Sequence, residues 1–216
     1  YDFIQKKAEP QFLSYTVKRA LDNLRLKKEV EELRQMYRKK KRIPEIVAHS
    51  PGMQDVVSLA EEFAKSDSTV LISGETGTGK TLIAEYIHSQ SYRFNQPFVA
   101  INCSAIPSEL IESELFGYES GAFTGARSQG KKGLMEQAEG GTLFLDEIGE
   151  LSLDLQSKLL HVFENRSFFR LGAVEPREIN VRFMAATNSD LNLKVKEKMF
   201  RMDLFYRLNV ANIVIP

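Results

Sequence analysis

The residues best suited to chemistry stand in one short run, Gly74-Glu75-Thr76-Gly77-Thr78-Gly79-Lys80-Thr81. It fits the spacing G-x-x-x-x-G-K-[ST]. Glycines let a backbone wrap closely round phosphates with its N–H groups turned inward. A helix opening after such a loop adds its anion-favouring N-terminus. At this spacing Lys80 reaches the β- and γ-phosphates of a nucleotide, and the Thr81 hydroxyl ligates Mg2+. A second run, Gly141-Thr142-Leu143-Phe144-Leu145-Asp146-Glu147, reads as a buried strand ending in two carboxylates. Asp146 would hold Mg2+ through water, and Glu147 would polarise an attacking water. Phosphoryl transfer depends on positioning and charge stabilisation, and such a pair supplies both. An apolar strand ending in Asp-Glu says little alone, but after a phosphate loop it completes an Mg-nucleotide site.

These groups work only if strands and helices bring them together. Thr69–Ser73 is a β-branched apolar run that leads into the glycine-rich turn, and a helix is expected from Lys80 to about Ser91. Further strands are expected at Pro97–Ile101, Thr142–Asp146, Asn180–Thr187 and Val210–Ile215, with a helix over Leu153–Glu164. Strands alternating with helices predict a mainly parallel sheet covered on both faces. Ser50-Pro51 marks a helix start, an N-cap with proline at the first helical position, running to about Lys65. Upstream, residues 10–40 read as one long helix. Its apolar residues recur at Leu13, Val17, Ala20 and Leu24, and again at Leu26, Val30, Leu33 and Tyr37. The spacing builds one apolar stripe, which is either a dimerising coiled-coil seam or the packed face of a single amphipathic helix. Ile43-Pro44 ends it.

Composition bounds the rest. The 216 residues are 43% hydrophobic and 27% charged, which excludes a disordered chain. Lys+Arg and Asp+Glu are both 29. That balance argues against a wholly basic nucleic-acid coat or a polybasic membrane anchor. Residues 1–43 hold 13 basic and 6 acidic residues, a balance of +7, and the remainder carries −7. The two parts are therefore expected to be different structural units. The Arg38–Arg42 run reads as a solvated linker or as a contact to an acidic partner. One cysteine, Cys103, excludes an internal disulfide framework and fits a reducing, cytoplasmic compartment. No apolar run approaches the roughly 18 residues of a membrane span, and no signal peptide is seen. A first residue Tyr1 suggests a fragment of a longer chain.

Between the two motifs lies Glu114-Leu115-Phe116-Gly117-Tyr118-Glu119-Ser120, followed by Gly121-Ala122-Phe123-Thr124-Gly125-Ala126. An exposed aromatic at a glycine-flanked loop tip is costly unless a partner buries it, so Phe123 and Thr124 read as a contact to another macromolecule. This GAFTGA core resembles the signature of sigma-54-dependent transcription activators, the NtrC-type AAA+ enhancer-binding proteins. The resemblance covers residues 44–216 and includes GGTLFLDEIGE, Ala186-Thr187-Asn188 and FRMDLFYRLNV at 200–210.

The resemblance implies an α/β AAA+ P-loop NTPase core, a parallel sheet flanked by helices, preceded by a long coiled-coil-like linker helix. It implies ATP and Mg2+ as ligands and ATP hydrolysis between subunits of a ring. The GAFTGA loop would then engage sigma-54 RNA polymerase. By position, Asn102 matches the residue that restrains the catalytic Glu147. Asn188 matches the sensor of the γ-phosphate, and Arg201 and Arg207 match two candidate arginine fingers. Phe168–Pro176 resembles a second loop that couples hydrolysis to the first. Residues 1–9 resemble the last strand of a receiver domain, with Lys6 as its switch lysine and Lys7 in place of the usual proline. Residues 10–43 would be a dimerising linker and 44–216 the α/β ATPase subdomain. A receiver domain that meets a histidine kinase, a helical lid and an enhancer-DNA reader are expected outside this sequence. Two departures stand out: His49, read as a packing residue near the adenine pocket, and Thr81, where many relatives have Glu. Two other functions compete. A motor acting directly on nucleic acid or unfolded protein would show basic or aromatic pore residues at this loop. A non-enzymatic scaffold would have lost Lys80, Asp146, Glu147 or the arginines.

Overall fold

The computed structural model describes residues 18–25, 28, 46–123 and 129–216, with 18–25 helical. Most of the expected linker helix, the receiver-like strand at residues 1–9, and Thr124, Gly125 and Ala126 lie outside the described residues. The helix α1 (Pro51–Phe63) leads into β1 (Val70–Ser73), α2 (Lys80–Gln90) and β2 (Phe98–Asn102). Then come α3 (Ser108–Phe116), the short strands β3 (Gly117–Tyr118) and β4 (Lys131–Lys132), and α4 (Leu134–Gln137). β5 (Thr142–Asp146), a 3-10 turn at Ile148–Glu150 and α5 (Leu153–Asn165) follow. The last part holds β6 (Ser167–Phe168), β7 (Arg177–Glu178), β8 (Arg182–Thr187), α6 (Leu191–Lys196), α7 (Met202–Leu208) and β9 (Ala211–Val214).

The apolar runs assemble as one parallel sheet in the order β2-β5-β8-β1-β9. Alternation along each strand sorts the side chains into two cores. Leu71, Leu143, Leu145, Phe183 and Ala185 pack with α3, α5 and α7 residues such as Leu115, Leu159 and Leu204. Val70, Ile72, Phe144, Met184 and Ala186 pack with Val56 and Ala60 of α1 and Ile83 and Ile87 of α2. Each fully buried aliphatic or aromatic side chain contributes roughly 1.5–3 kcal/mol. β9 is an edge strand, so only Ala211 and Ile213 are buried while Asn212 and Val214 face out. The start of α1 follows the sequence: Ser50 accepts from the Met53 N–H at 3.3 Å, and Pro51 occupies the first turn.

Two small hairpins extend beyond the main sheet. The segment carrying GAFTGA leaves α3 at Gly117 and returns through β4, so it stands between β3 and β4 and not within one helix. The two arms cross so closely that side chains are excluded. A Cβ at Gly117 would lie 2.4 Å from the Lys131 carbonyl oxygen, and one at Gly133 would lie 2.4 Å from that of Leu115. The second hairpin pairs β6 with β7. No helix among the described residues is long and apolar enough to cross a membrane.

Candidate nucleotide-hydrolysis site

Strand order decides which groups can meet. Ligands of open parallel sheets collect outside the C-terminal ends of the strands. Here those ends carry Ser73-Gly74 (β1), Thr187-Asn188 (β8), Asp146-Glu147 (β5) and Asn102 (β2). Because β8 lies between β1 and β5, Asn188 stands between the phosphate loop and Glu147. The loop needs its glycines: Gly77 and Gly79 have φ of +87° and +89°, and Gly79 caps α2 directly. Lys80 is 6% exposed. Its Nζ donates to the carbonyl oxygens of Gly74 (3.0 Å) and Glu75 (3.1 Å) and lies 3.6 Å from Glu147 Oε1.

The two carboxylates differ in environment. Burial, then the neighbouring Glu147 charge, pushes the Asp146 carboxyl above its usual range; the Glu147 N–H, Lys80 and the Thr81 side chain oppose this. Asp146 Oδ1 accepts from the Glu147 N–H at 3.1 Å. Glu147 itself has φ +53°, a left-handed conformation that costs a non-glycine residue roughly 1–3 kcal/mol and recurs at functional sites. Its Oε2 accepts from the Asn188 N–H at 3.0 Å. The Asn188 side-chain N–H donates to Thr76 Oγ1 at 3.1 Å, which ties the end of β8 to the phosphate loop. The donor set suits a hard divalent cation: Thr81 and Asp146 offer oxygens only, and a cation would relieve the crowding that raises Asp146. A cavity of about 470 Å3 opens beside Gly74, Glu75 and Asn188, within the range of small-molecule sites.

Other expected residues are placed elsewhere. Asn102 pairs in register with Asp146, but its Oδ1 accepts from the N–H and hydroxyl of Ser104 and the N–H of Ala105. Among the described residues, Lys80 lies 3.6 Å from Glu147 and the Asn188 N–H donates to it at 3.0 Å. Arg201 pairs with Asp203 through two bonds, at 3.1 and 2.7 Å, and donates to Ser157 Oγ at 2.9 Å. Arg207 is 58% exposed and lies 3.6 Å from Glu164. The ion-pair partner of Arg201 lies in α7 and that of Arg207 in α5. His49 is exposed, so the packing role expected for it does not hold. Gly121, Ala122 and Phe123 are described; the Phe123 ring is 45% exposed and meets Tyr118 edge-on at 5.1 Å.

The resemblance names Phe168–Pro176 as a loop coupled to the first, but not the residues that join the two. Leu171 accepts from Glu119 N–H and donates to the Gly117 carbonyl, both at 3.0 Å. Arg170, 9% exposed, donates to both oxygens of Glu136 at 2.6 Å and to Glu119 at 3.2 Å. Arg170 itself, following Phe168-Phe169, reads equally well as a surface residue.

The profile of the Sigma-54 interaction domain matches residues 46–214. The chain is 46% identical over 216 residues to the regulatory protein AtoC of Escherichia coli K12, covering all of this chain and 47% of that protein. It is 50% identical over 172 residues to the transcriptional regulator NtrC of Klebsiella pneumoniae, covering 80% of this chain and 36% of NtrC. The chain thus spans about half or less of the length of these relatives. Among solved structures, NtrX from Brucella abortus in complex with ATP superposes with a TM-score of 0.73 at 36% identity, over all of this chain and 45% of NtrX. The P-loop NTPase domain of a sigma-54 transport activator from E. coli matches at a TM-score of 0.53 and 16% identity, over 78% of this chain and 97% of that one, a likeness of fold alone.

Proposed function

The chain belongs to the sigma-54 interaction domain family, with an AAA+ P-loop NTPase core, and from that premise we propose that it is the ATPase unit of a two-component transcription activator. The activator remodels sigma-54 RNA polymerase, coupling ATP hydrolysis at subunit interfaces to open-complex formation through the GAFTGA loop. The observation that supports this reading is the meeting of Lys80, Asp146, Glu147 and Asn188 around one phosphate loop. The backbone of 74–79 and Lys80 bind the phosphates. Thr81 and Asp146 hold Mg2+, which when bound neutralises charge on the phosphate oxygens. Glu147 orients and deprotonates the attacking water, and Asn188 reads the γ-phosphate. Asn102 restrains Glu147 through its register with Asp146. Arg201 and Arg207 face outward from α7 and its N-cap and act on the neighbouring subunit's nucleotide, which makes hydrolysis depend on assembly.

Residues 10–43 pair two chains as a dimer, and the active form is a hexameric ring in the cytoplasm. Gly121, Ala122, Phe123, Thr124, Gly125 and Ala126 contact sigma-54, and the joint at Leu171 and Arg170 passes movement to them. Enhancer DNA and the histidine kinase are met through other domains of the longer protein. The test is ATP hydrolysis against protein concentration for the wild type, Arg207→Ala and Thr124→Ala. Activity is expected to rise cooperatively, to be lost in Arg207→Ala and to be largely kept in Thr124→Ala, which instead loses sigma-54 binding. Hydrolysis independent of concentration would overturn the interface arginines and favour a nucleotide-gated scaffold.

A further inference from the structure

The apolar face of α5 buries Leu155, Leu159 and Val162, and among them sits Gln156, which is 0% exposed. A buried amide costs stability unless its hydrogen bonds are made. Here they are. Nε2 donates to the Leu151 carbonyl at 2.8 Å and to the Met199 carbonyl at 3.1 Å, and Oε1 accepts from the Arg201 N–H at 2.8 Å. Both donors and one acceptor position of the amide are used. The partners belong to two segments. Leu151 closes the 3-10 turn that begins at Glu147, its N–H reaching the Ile148 carbonyl. Met199 and Arg201 lie in the irregular turn between α6 and α7, where Lys198 has φ +59°. Arg201 precedes the first turn of α7, so its N–H has no helical partner and depends on Gln156.

We propose that Gln156 is a positioning residue for Arg201, fixing the backbone from which that arginine reaches the nucleotide of the next subunit. The inference rests on Arg201 acting across the interface. The neighbouring Ser157 holds the guanidinium through its hydroxyl, and Asp203 holds it from the other side. Gln156 sets where the arginine starts; Ser157 and Asp203 set where it points. The same amide joins Arg201 to the turn carrying Glu147, so the donated group and the subunit's own water-orienting residue share one support.

Mixed assemblies of the full-length protein test this. Gln156→Leu removes all three hydrogen bonds at similar volume. Alone it is expected to lower kcat about 100-fold, the effect of misplacing a reacting group by roughly 1 Å, with ATP affinity unchanged. Mixed with Lys80→Ala, itself inactive, it is expected to regain activity. The Lys80→Ala subunit donates a well-placed arginine to the intact site of its Gln156→Leu neighbour. Arg201→Ala mixed with Lys80→Ala is the reference and should be rescued likewise. If Arg201→Ala is rescued and Gln156→Leu is not, Gln156 serves its own subunit's site or core, and the inference is overturned. If Arg201→Ala keeps full activity by itself, the interface role of Arg201 fails first. Should Gln156→Leu lose ATP binding, Gln156→Glu decides, because it keeps an acceptor for the Arg201 N–H. Hydrolysis kept by Gln156→Glu alone, or regained on mixing, supports the inference; its loss without rescue overturns it.

Discussion

At the N-terminal ends of the strands, Arg93 donates to the carbonyls of Gly140 and Asn180 at 2.9 Å, to the Asn180 side chain at 2.7 Å and to Asp67 at 2.8 Å. Beside it Arg182, 1% exposed, donates to the Phe63 carbonyl at 2.7 Å, and burial lowers its pKa to about 10. At the C-terminal ends the charges are arranged otherwise. Two carboxylates stand side by side, one is raised by burial and by the other, and the second sits on a left-handed backbone. Arg93 gathers loose chain ends, whereas Asp146 and Glu147 keep strain that only a ligand would relieve. Buried charge at one edge is structure, and at the other it is stored for chemistry.

The largest test of this contrast is Glu147→Gln. It removes the proposed general base and one of two neighbouring carboxylates, so hydrolysis should fall by about 10^2–10^4. The same change should leave the melting temperature unchanged or raised. A fall in stability matching the fall in rate would break the contrast. Arg93→Ala is the converse. Losing several bonds from a guanidinium to loop carbonyls and Asp67 should cost about 2–3 kcal/mol, a drop of roughly 5–10 °C for a domain of this size. The rate per folded molecule should stay unchanged, as measured by ATPase assay well below the melting point.

How much of this contrast could be read beforehand differs between the two edges. The C-terminal edge was legible because its chemistry demands residue types at short fixed spacings: Lys80 and Thr81 after the glycines, Asp146-Glu147 after an apolar run. The strands themselves were legible as near-continuous apolar runs, since both faces of the sheet are covered. The N-terminal edge was not. Asp67, Arg93, Asn180 and Arg182 are far apart in sequence, and each alone reads as a surface residue. The Arg170–Glu136–Glu119 joint and Gln156 failed to show for the same reason. Their meaning lies in which loops the fold brings together, and no local pattern marks it. Asn102 shows how far position within a motif carries. Position in the motif brought Asn102 into register with Asp146, but the local turn at Ser104 took its side-chain oxygen.

Thr76→Val sharpens the contrast within the C-terminal edge. Its hydroxyl is the one phosphate-loop side chain that accepts from Asn188. Removing it deletes a single hydrogen bond, worth about 1 kcal/mol, so kcat should fall roughly fivefold. ATP affinity should hold, because the loop binds phosphate through its backbone. Thr76→Ser should restore the rate. An equal loss in affinity and rate would place Thr76 on the nucleotide and not on the sensor.

The smallest effect concerns pH, and the two edges should respond with opposite sign. The Arg93 hydrogen bond holds the Asp67 carboxyl below its usual range. Its contribution is therefore present above the unfolded pKa, about 3.9, and is lost as pH falls through the lower folded value. Asp67 is 55% exposed, so solvent screens the pair and the contribution stays under about 1 kcal/mol. Asp146 is raised, so the folded chain takes up its proton first. Its ionised form opposes folding near neutrality, and that opposition fades as pH falls through the folded pKa. Urea unfolding from pH 7 to pH 3 separates the two. Asp67→Asn should be slightly less stable than wild type at pH 7, and the gap should close in acid. Asp146→Asn should be more stable at pH 7, and its advantage should shrink over the same range. If both variants shift stability in the same direction, the two edges handle buried charge alike, and the Asp146–Glu147 pair is ordinary structure.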